Sequence, residues 1–230
     1  MRTAILVDGG FYRKRASFLW GKKDPDKRAK ELISYCHAHL EHERRYSDRD
    51  LYRIFYYDCP PIQKSVYHPL LKKNIDFRHN ETYAWTNAFF DELKKQRKVA
   101  LRLGELSDEF AAFVISPQAT KEILSGKRKL SDLTEQDFHI NFSQKGVDMQ
   151  IGIDITYLSL KGMVDQIILI AGDSDFVPAS KLARREGIDF VLDPMWATIK
   201  PSLFEHIDGL QSEWGKRLQK QSGGSDHHSV

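Results

Sequence analysis

The chain has only two cysteines in 230 residues: Cys36 in an expected helix and Cys59 just past an expected strand. That supply gives neither a disulfide framework nor the four clustered ligands of a structural zinc site. No apolar run approaches the length that spans a membrane. The apolar part of MRTAILVDGG is too short for a signal peptide, so a cytoplasmic protein is expected. Net charge is only +3, from 35 basic and 32 acidic residues. That balance does not by itself mark a nucleic-acid binder. Also missing are a GxSxG elbow, a glycine-rich phosphate loop and a Cys–His pair at catalytic spacing. What remains is a chain with 41% apolar and 11% aromatic residues. It is long enough for one large domain, or one domain carrying an insertion.

The acids are where the pattern is richest. Ile167–Ala171 is an unbroken apolar run, the mark of a strand buried on both faces. It stops at Gly172-Asp173-Ser174-Asp175, where a helix over Phe176–Glu186 is expected to begin. Thr3–Val7 likewise stops at Asp8-Gly9-Gly10, with a helix expected over Phe11–Trp20. Leu51–Tyr57 ends at Asp58-Cys59-Pro60-Pro61, and Ile188–Leu192 ends at Asp193-Pro194. Asp8 can be read as a turn or cap residue, or as a functional carboxylate at a strand end. For Asp58 the adjoining prolines favour the turn reading. Alternating strand and helix imply a parallel sheet with right-handed crossovers. Strand ends of one polarity then share an edge, and ligands of open α/β sheets bind outside the carboxyl ends.

A further helix is expected from Val147 to Leu160. Val147, Ile151, Ile155 and Leu158 fall on one stripe, and Asp148 lies beside it in the first turn. Helix-dipole stabilisation alone would suit an acid there. Asp154 lies about 120° away and cannot point at the same spot. Asp8, Asp148, Asp173 and Asp175 can thus converge. Carboxylates packed in one cleft repel each other, and a divalent cation resolves the repulsion. An all-oxygen site suits Mg²⁺ or Mn²⁺, which can polarise a phosphate and activate water. Ser174 has no histidine beside it, so it reads as a helix cap or a donor to a ligand carboxylate.

The block from about 66 to 140 is the weakest part of the pattern. Tyr83–Arg97 reads as a helix, and its Tyr83, Trp85, Phe89 and Phe90 as core. Val99–Leu106 reads as a half-buried strand with Phe110–Ile115 as partner. The block is expected to be an inserted α+β segment of one domain spanning 1–220. Closing helices are expected over Ser202–Asp208 and Leu210–Gln219, and 221–230 as a flexible tail. Basic clusters at Arg13-Lys14-Arg15 and Arg184-Arg185 follow two of the acidic turns. They read either as solvated helix faces or as contacts to a nucleic-acid backbone.

Four blocks in order, AILVDGGF, FYYDCPP, QKGVDMQIGIDI and VDQIILIAGDSDFVPASKLARREG, resemble the NYN family, the LabA-like branch of the PIN-like nucleases. The resemblance implies a three-layer α/β/α PIN-like fold with a central, mainly parallel sheet. It implies a Mg²⁺- or Mn²⁺-dependent ribonuclease acting on RNA, single-stranded by expectation. The family's acids correspond to Asp8, Asp148, Asp173 and Asp175. On that reading Asp8, Asp148 and Asp173 hold metal, and Asp175 completes the cluster or orients water. Lys145 holds a phosphate or stabilises the leaving oxygen, and Asp154 stands behind the ligands. Where the family's first motif often has Asn, this chain has Phe11, which bears on substrate orientation rather than on metal.

Three other readings compete. One is a PIN-like module that binds RNA or protein without cleaving. One is an aspartyl-nucleophile phosphatase of the haloacid dehalogenase type, which wants Asp-x-Asp on the first strand where this chain has Asp8-Gly9-Gly10. One is a deoxyribonuclease, because carboxylates do not read a 2′-hydroxyl. A homo-oligomer is a further expectation, with Tyr83–Asp137 as a lid or a dimer contact.

Overall fold

The computed structural model describes residues 1–41 and 49–214. The chain divides into two compact units. The first comprises Met1–Asp58, Ala88–Gly104 and the chain from Gly146 onward; the second comprises Cys59–Asn87 and Glu105–Lys145.

In the first unit, β1 (Arg2–Asp8) leads directly into α1 (Gly9–Trp20), followed by α2 (Pro25–Glu41) and β2 (Asp50–Asp58). Among the described residues the sheet has six strands, and every neighbouring pair is parallel. From one edge the order is β10 (Gly209–Leu210), β9 (Asp189–Asp193), β8 (Gln166–Ile170), β1, β2 and β5 (Val99–Leu103). The apolar runs of β1 and β8 lie at the centre. The reason is physical: both faces of these strands are covered, so every position must be apolar.

Alternate residues sort the two faces. Ala4, Leu6, Phe55, Tyr57, Ile167, Leu169, Phe190 and Leu192 share a core with α5 (Val147–Leu160) and α6 (Val177–Arg185). The α5 side of that core is the expected stripe, Ile151, Ile155 and Leu158. Ile5, Val7, Ile54, Tyr56, Ile168 and Ile170 are buried on the other face. There α1 and α2 pack on β2, and Tyr56 meets the Phe89 ring at 5.5 Å. The result is the three-layer α/β/α arrangement expected from the sequence. The five residues of β8 are all fully buried, and each such Ile or Leu contributes about 1.5–3 kcal/mol.

The 66–140 block is organised differently from expectation. The helix expected over Tyr83–Arg97 is α3 (Glu81–Lys94). Its second half carries the buried Phe89 and Phe90 into the first unit, and β5 then extends the main sheet beside β2. So Val99–Leu103 does not pair with Phe110–Ile115. That partner belongs to β6 (Glu105–Ile115), which runs antiparallel to β7 (Phe138–Lys145). The second unit also holds the hairpin of β3 (Ser65–His68) and β4 (Lys73–Asp76), which the pattern did not single out. Besides the first half of α3, it holds α4 (Pro117–Leu124), where Ser116 Oγ accepts from Ala119 N at 3.2 Å. Arg128 grips Asp137 with two bonds of 2.8 and 2.6 Å. The insertion is therefore two segments, with residues 88–104 returned to the main sheet.

The chain closes through α7 (Pro201–Phe204) and strand β10, in place of the helix expected from Leu210. Residues 215–219 of that expected helix and the 221–230 tail lie outside the described residues. No helix among the described residues is long and apolar enough to cross a membrane.

Candidate active site at the carboxyl edge of the sheet

β1 ends at Asp8, whose Oδ1 accepts from Phe11 N at 3.0 Å and caps α1. Gly9 is required by close approach: a Cβ there would lie 2.5 Å from the Tyr57 carbonyl and 2.6 Å from the Tyr56 ring. Gly172, just past β8, is pinned the same way, because its Cβ would lie 2.5 Å from the Phe11 ring. The departure at Phe11 thus has a structural use: its ring lies against the backbone that leads into Asp173.

The four strand-end acids separate into two kinds. Asp58 is buried, 3.0 Å from Arg13 Nη2 and 3.1 Å from the Tyr56 hydroxyl. Asp193 is also fully buried. It accepts from the Tyr35 hydroxyl at 2.6 Å, Met195 N at 2.7 Å and Ser212 Oγ at 2.6 Å, with His39 Nε2 at 2.8 Å. These two carboxylates are satisfied by structure. Among the described residues no basic side chain forms an ion pair with Asp8, Asp148, Asp173 or Asp175.

Those four instead act on one another. Burial pushes Asp8 from 3.8 up to about 6; its backbone bond from Phe11 opposes this, and the charges of Asp148 and Asp58 add to it. Asp148, in the first turn of α5, is raised first by burial and then by Asp173 and Asp175. Asp8 thus feels Asp148, and Asp148 feels Asp173 and Asp175, at the carboxyl edge of the sheet.

The turn that carries the last two acids is a 3-10 helix, Ser174–Phe176. Its cap is Asp173, accepting from Asp175 N at 3.2 Å, rather than Ser174. The Ser174 hydroxyl faces a lysine: Lys200 Nζ lies 3.0 Å from it. Lys200 is exposed and immediately precedes α7. Sequence reasoning missed it, since no motif joins a lone Lys-Pro to a turn 26 residues upstream.

The donor set is compatible with a hard divalent ion. It offers oxygen alone, and two of its carboxyls, Asp8 and Asp148, are raised by burial and neighbouring charge. Among the described residues no three His, Cys, Asp or Glu side chains are gathered tightly enough to hold a metal as they stand. An oxygen-only donor set does not supply the compact N/S shell of a structural zinc site.

The remaining expected residues fall out as follows. Asp154 accepts from the Tyr57 hydroxyl at 2.8 Å and from Arg102 Nε at 3.2 Å, so it is tied into the sheet and is not turned to the cluster. Arg13 is engaged with Asp58, and Arg15 donates to the Met195 carbonyl at 2.7 Å. Lys14 stays exposed. Arg184 pairs with Asp208 at 2.8 Å, and Asp208 accepts from Phe190 N, near the start of β9. Arg184 and Arg185 therefore sit at the amino end of the sheet, not beside the acids. A nine-residue α6 runs ~13 Å back along the strands and carries them away. Lys145 ends β7 in the second unit and is exposed.

The model of the NYN domain family matches residues 82–200, just over half of the chain. The chain belongs to the NYN domain family. The match contains Asp148, Asp173, Asp175 and Lys200 of this NYN domain, while Asp8 reaches the site from outside the matched stretch. A curated relative, an uncharacterized protein of Methanocaldococcus jannaschii, is 24% identical over 126 residues, 53% of this chain and 52% of that protein. The chain spans about half the length of the curated relative it matches. A solved structure of a protein of unknown function from Vibrio parahaemolyticus aligns over 93% of both chains, with a TM-score of 0.46 and 11% identity.

Proposed function

We propose that this NYN domain is a metal-dependent nuclease that hydrolyses RNA phosphodiester bonds at Asp8, Asp148, Asp173 and Asp175. The observation that carries the proposal is the division of the strand-end acids. Asp58 and Asp193 are held by buried hydrogen-bond partners, whereas Asp8 is raised by burial and the Asp148 charge, and Asp148 by burial and the charges of Asp173 and Asp175. A protein using its strand-end acids only as caps has no reason to keep such a group unpaired.

Asp8, Asp148 and Asp173 would hold Mg²⁺ or Mn²⁺, largely through water. The ion supplies Lewis acidity toward a phosphate oxygen and a lowered water pKa. Asp175 accepts from, and so orients, the attacking water. Lys200, steadied by Ser174, binds a non-bridging phosphate oxygen or stabilises charge on the leaving oxygen. Lys145 is a second candidate for that cationic role. Phe11 holds the Gly172 turn so that Asp173 keeps its place.

The test is a labelled single-stranded RNA incubated with protein and Mn²⁺, Mg²⁺ or chelator, beside DNA of the same sequence. Cleavage in metal and none in chelator is expected, with RNA preferred. Tight binding with no cleavage in either metal would replace the nuclease by a binding module. Equal cleavage of DNA would widen the substrate class.

A further inference from the structure

The α5 helix is apolar on two sides. Its inner stripe is buried in the core, yet Met149, Ile153 and Tyr157 on the outer side are 70%, 58% and 53% exposed. A helix apolar all round is ordinarily covered all round. Here the outer side forms one wall of an open groove of about 600 Å³, with Pro178, Ala179 and Leu182 of α6 as the other wall. Asp148 and Asp175 line the same groove. The acid cluster and the apolar groove are therefore continuous. Midway along, Gly152 leaves a gap, since a Cβ there meets nothing within 4 Å.

We propose that this α5–α6 groove is the subsite for an unstacked nucleobase of the RNA strand, next to the phosphate held at the acids. The inference rests on the nuclease reading and deepens it. Three features choose a base as occupant. The groove opens from carboxylates that face the sugar-phosphate chain, so a strand lying there must place a neighbouring nucleotide over it. Its walls are apolar, with one exposed aromatic ring, which suits the flat face of any base. Its volume falls in the range of small-molecule sites. A base can enter only when it is unpaired, so the groove selects single strands over duplex by geometry. Sequence preference is weak, because polar side chains that could read base edges are few among the groove walls.

Gly152→Leu tests the idea without disturbing the core. The new side chain projects into open space, and a helix interior gains from losing glycine, so folding is retained. The probes are a labelled single-stranded oligoribonucleotide and an abasic strand of the same length, followed by fluorescence anisotropy in chelator. Wild type should bind the base-bearing strand at least five-fold more tightly than the abasic one, and Gly152→Leu should remove that margin. Hydrolysis of methyl p-nitrophenyl phosphate, a phosphodiester without a base, should be the same in both proteins with Mn²⁺. Equal binding of the two strands by wild type, or an unchanged margin in Gly152→Leu, overturns the subsite. A wild-type dimer that Gly152→Leu converts to monomer also overturns it, because the groove is then covered by a second copy. Loss of the base margin in Gly152→Leu, with no phosphodiester hydrolysis by either protein, keeps the groove and removes the nuclease.

Discussion

Replacing Asp8 with Asn should stabilise the metal-free protein at neutral pH. The Asp8 carboxyl titrates at about 6 in the folded chain and near 3.8 when unfolded. The folded state thus holds the proton more tightly, and its stability falls as pH rises from about 4 to above 6. Roughly two units at about 1.4 kcal/mol each amount to a penalty of about 3 kcal/mol at pH 7.5. At pH 5 both forms of the group are partly populated and the penalty is about half as large. Asn is neutral, has the same size and keeps an oxygen for Phe11 N, so the cap survives. For a chain of this length, 3 kcal/mol is about 6–12 °C in melting temperature. The assay is thermal unfolding of wild type and Asp8→Asn in chelator at pH 5 and 7.5, then in Mn²⁺. The variant should melt higher at pH 7.5, by a margin that narrows at pH 5. Added Mn²⁺ should raise wild type more than the variant. A variant that melts lower than wild type by the same amount at both pH values would show Asp8 to be an ordinary cap and refute the reasoning.

Other consequences can be checked with the same protein. Asp193→Ala should cost about 3 kcal/mol or more in urea unfolding, because Tyr35, Ser212 and the Met195 N–H lose a buried acceptor together. Gly172→Ala should destabilise by about 1–3 kcal/mol, and Phe11→Ala in the same chain should recover part of that loss in a double-mutant cycle. Lys200→Gln should lower RNA cleavage about ten-fold or more with an unchanged melting temperature, since the side chain is exposed and its ammonium is bonded to the Ser174 hydroxyl. An unaltered rate would leave the cationic role to Lys145.

The sheet was legible because its central strands are covered on both faces and must be apolar throughout. Ile167–Ala171 and Thr3–Val7 announce themselves, and the acids that end them mark the edge. What an edge position does not reveal is the face onto which an acid turns. Asp8 and Asp58 look alike in sequence, yet Asp58 meets Tyr56 and Arg13 while Asp8 turns to the α5 side. Residues 99–115 were mispaired because an alternating strand shows which side is buried and not which neighbour it has. The pairing of β5 with β2 is decided by the preceding α3, whose Phe89 anchors on Tyr56. Arg184 and Arg185 follow the acidic turn in sequence but sit a whole helix away in space, a consequence of antiparallel helix return that the length of α6 already contains. Lys200 was out of reach because its partner is distant in the chain.

The central claim is that the acid cluster does the chemistry. The most direct measurement is single-turnover cleavage of labelled RNA in Mn²⁺ by wild type and Asp173→Asn, with melting temperature as the control for folding. Asp173 is exposed, and Asn can still cap the turn to Asp175 N, so the fold should be unchanged. The account predicts cleavage by wild type and a loss of a hundred-fold or more in the variant. Cleavage at the wild-type rate by a folded Asp173→Asn protein would contradict it.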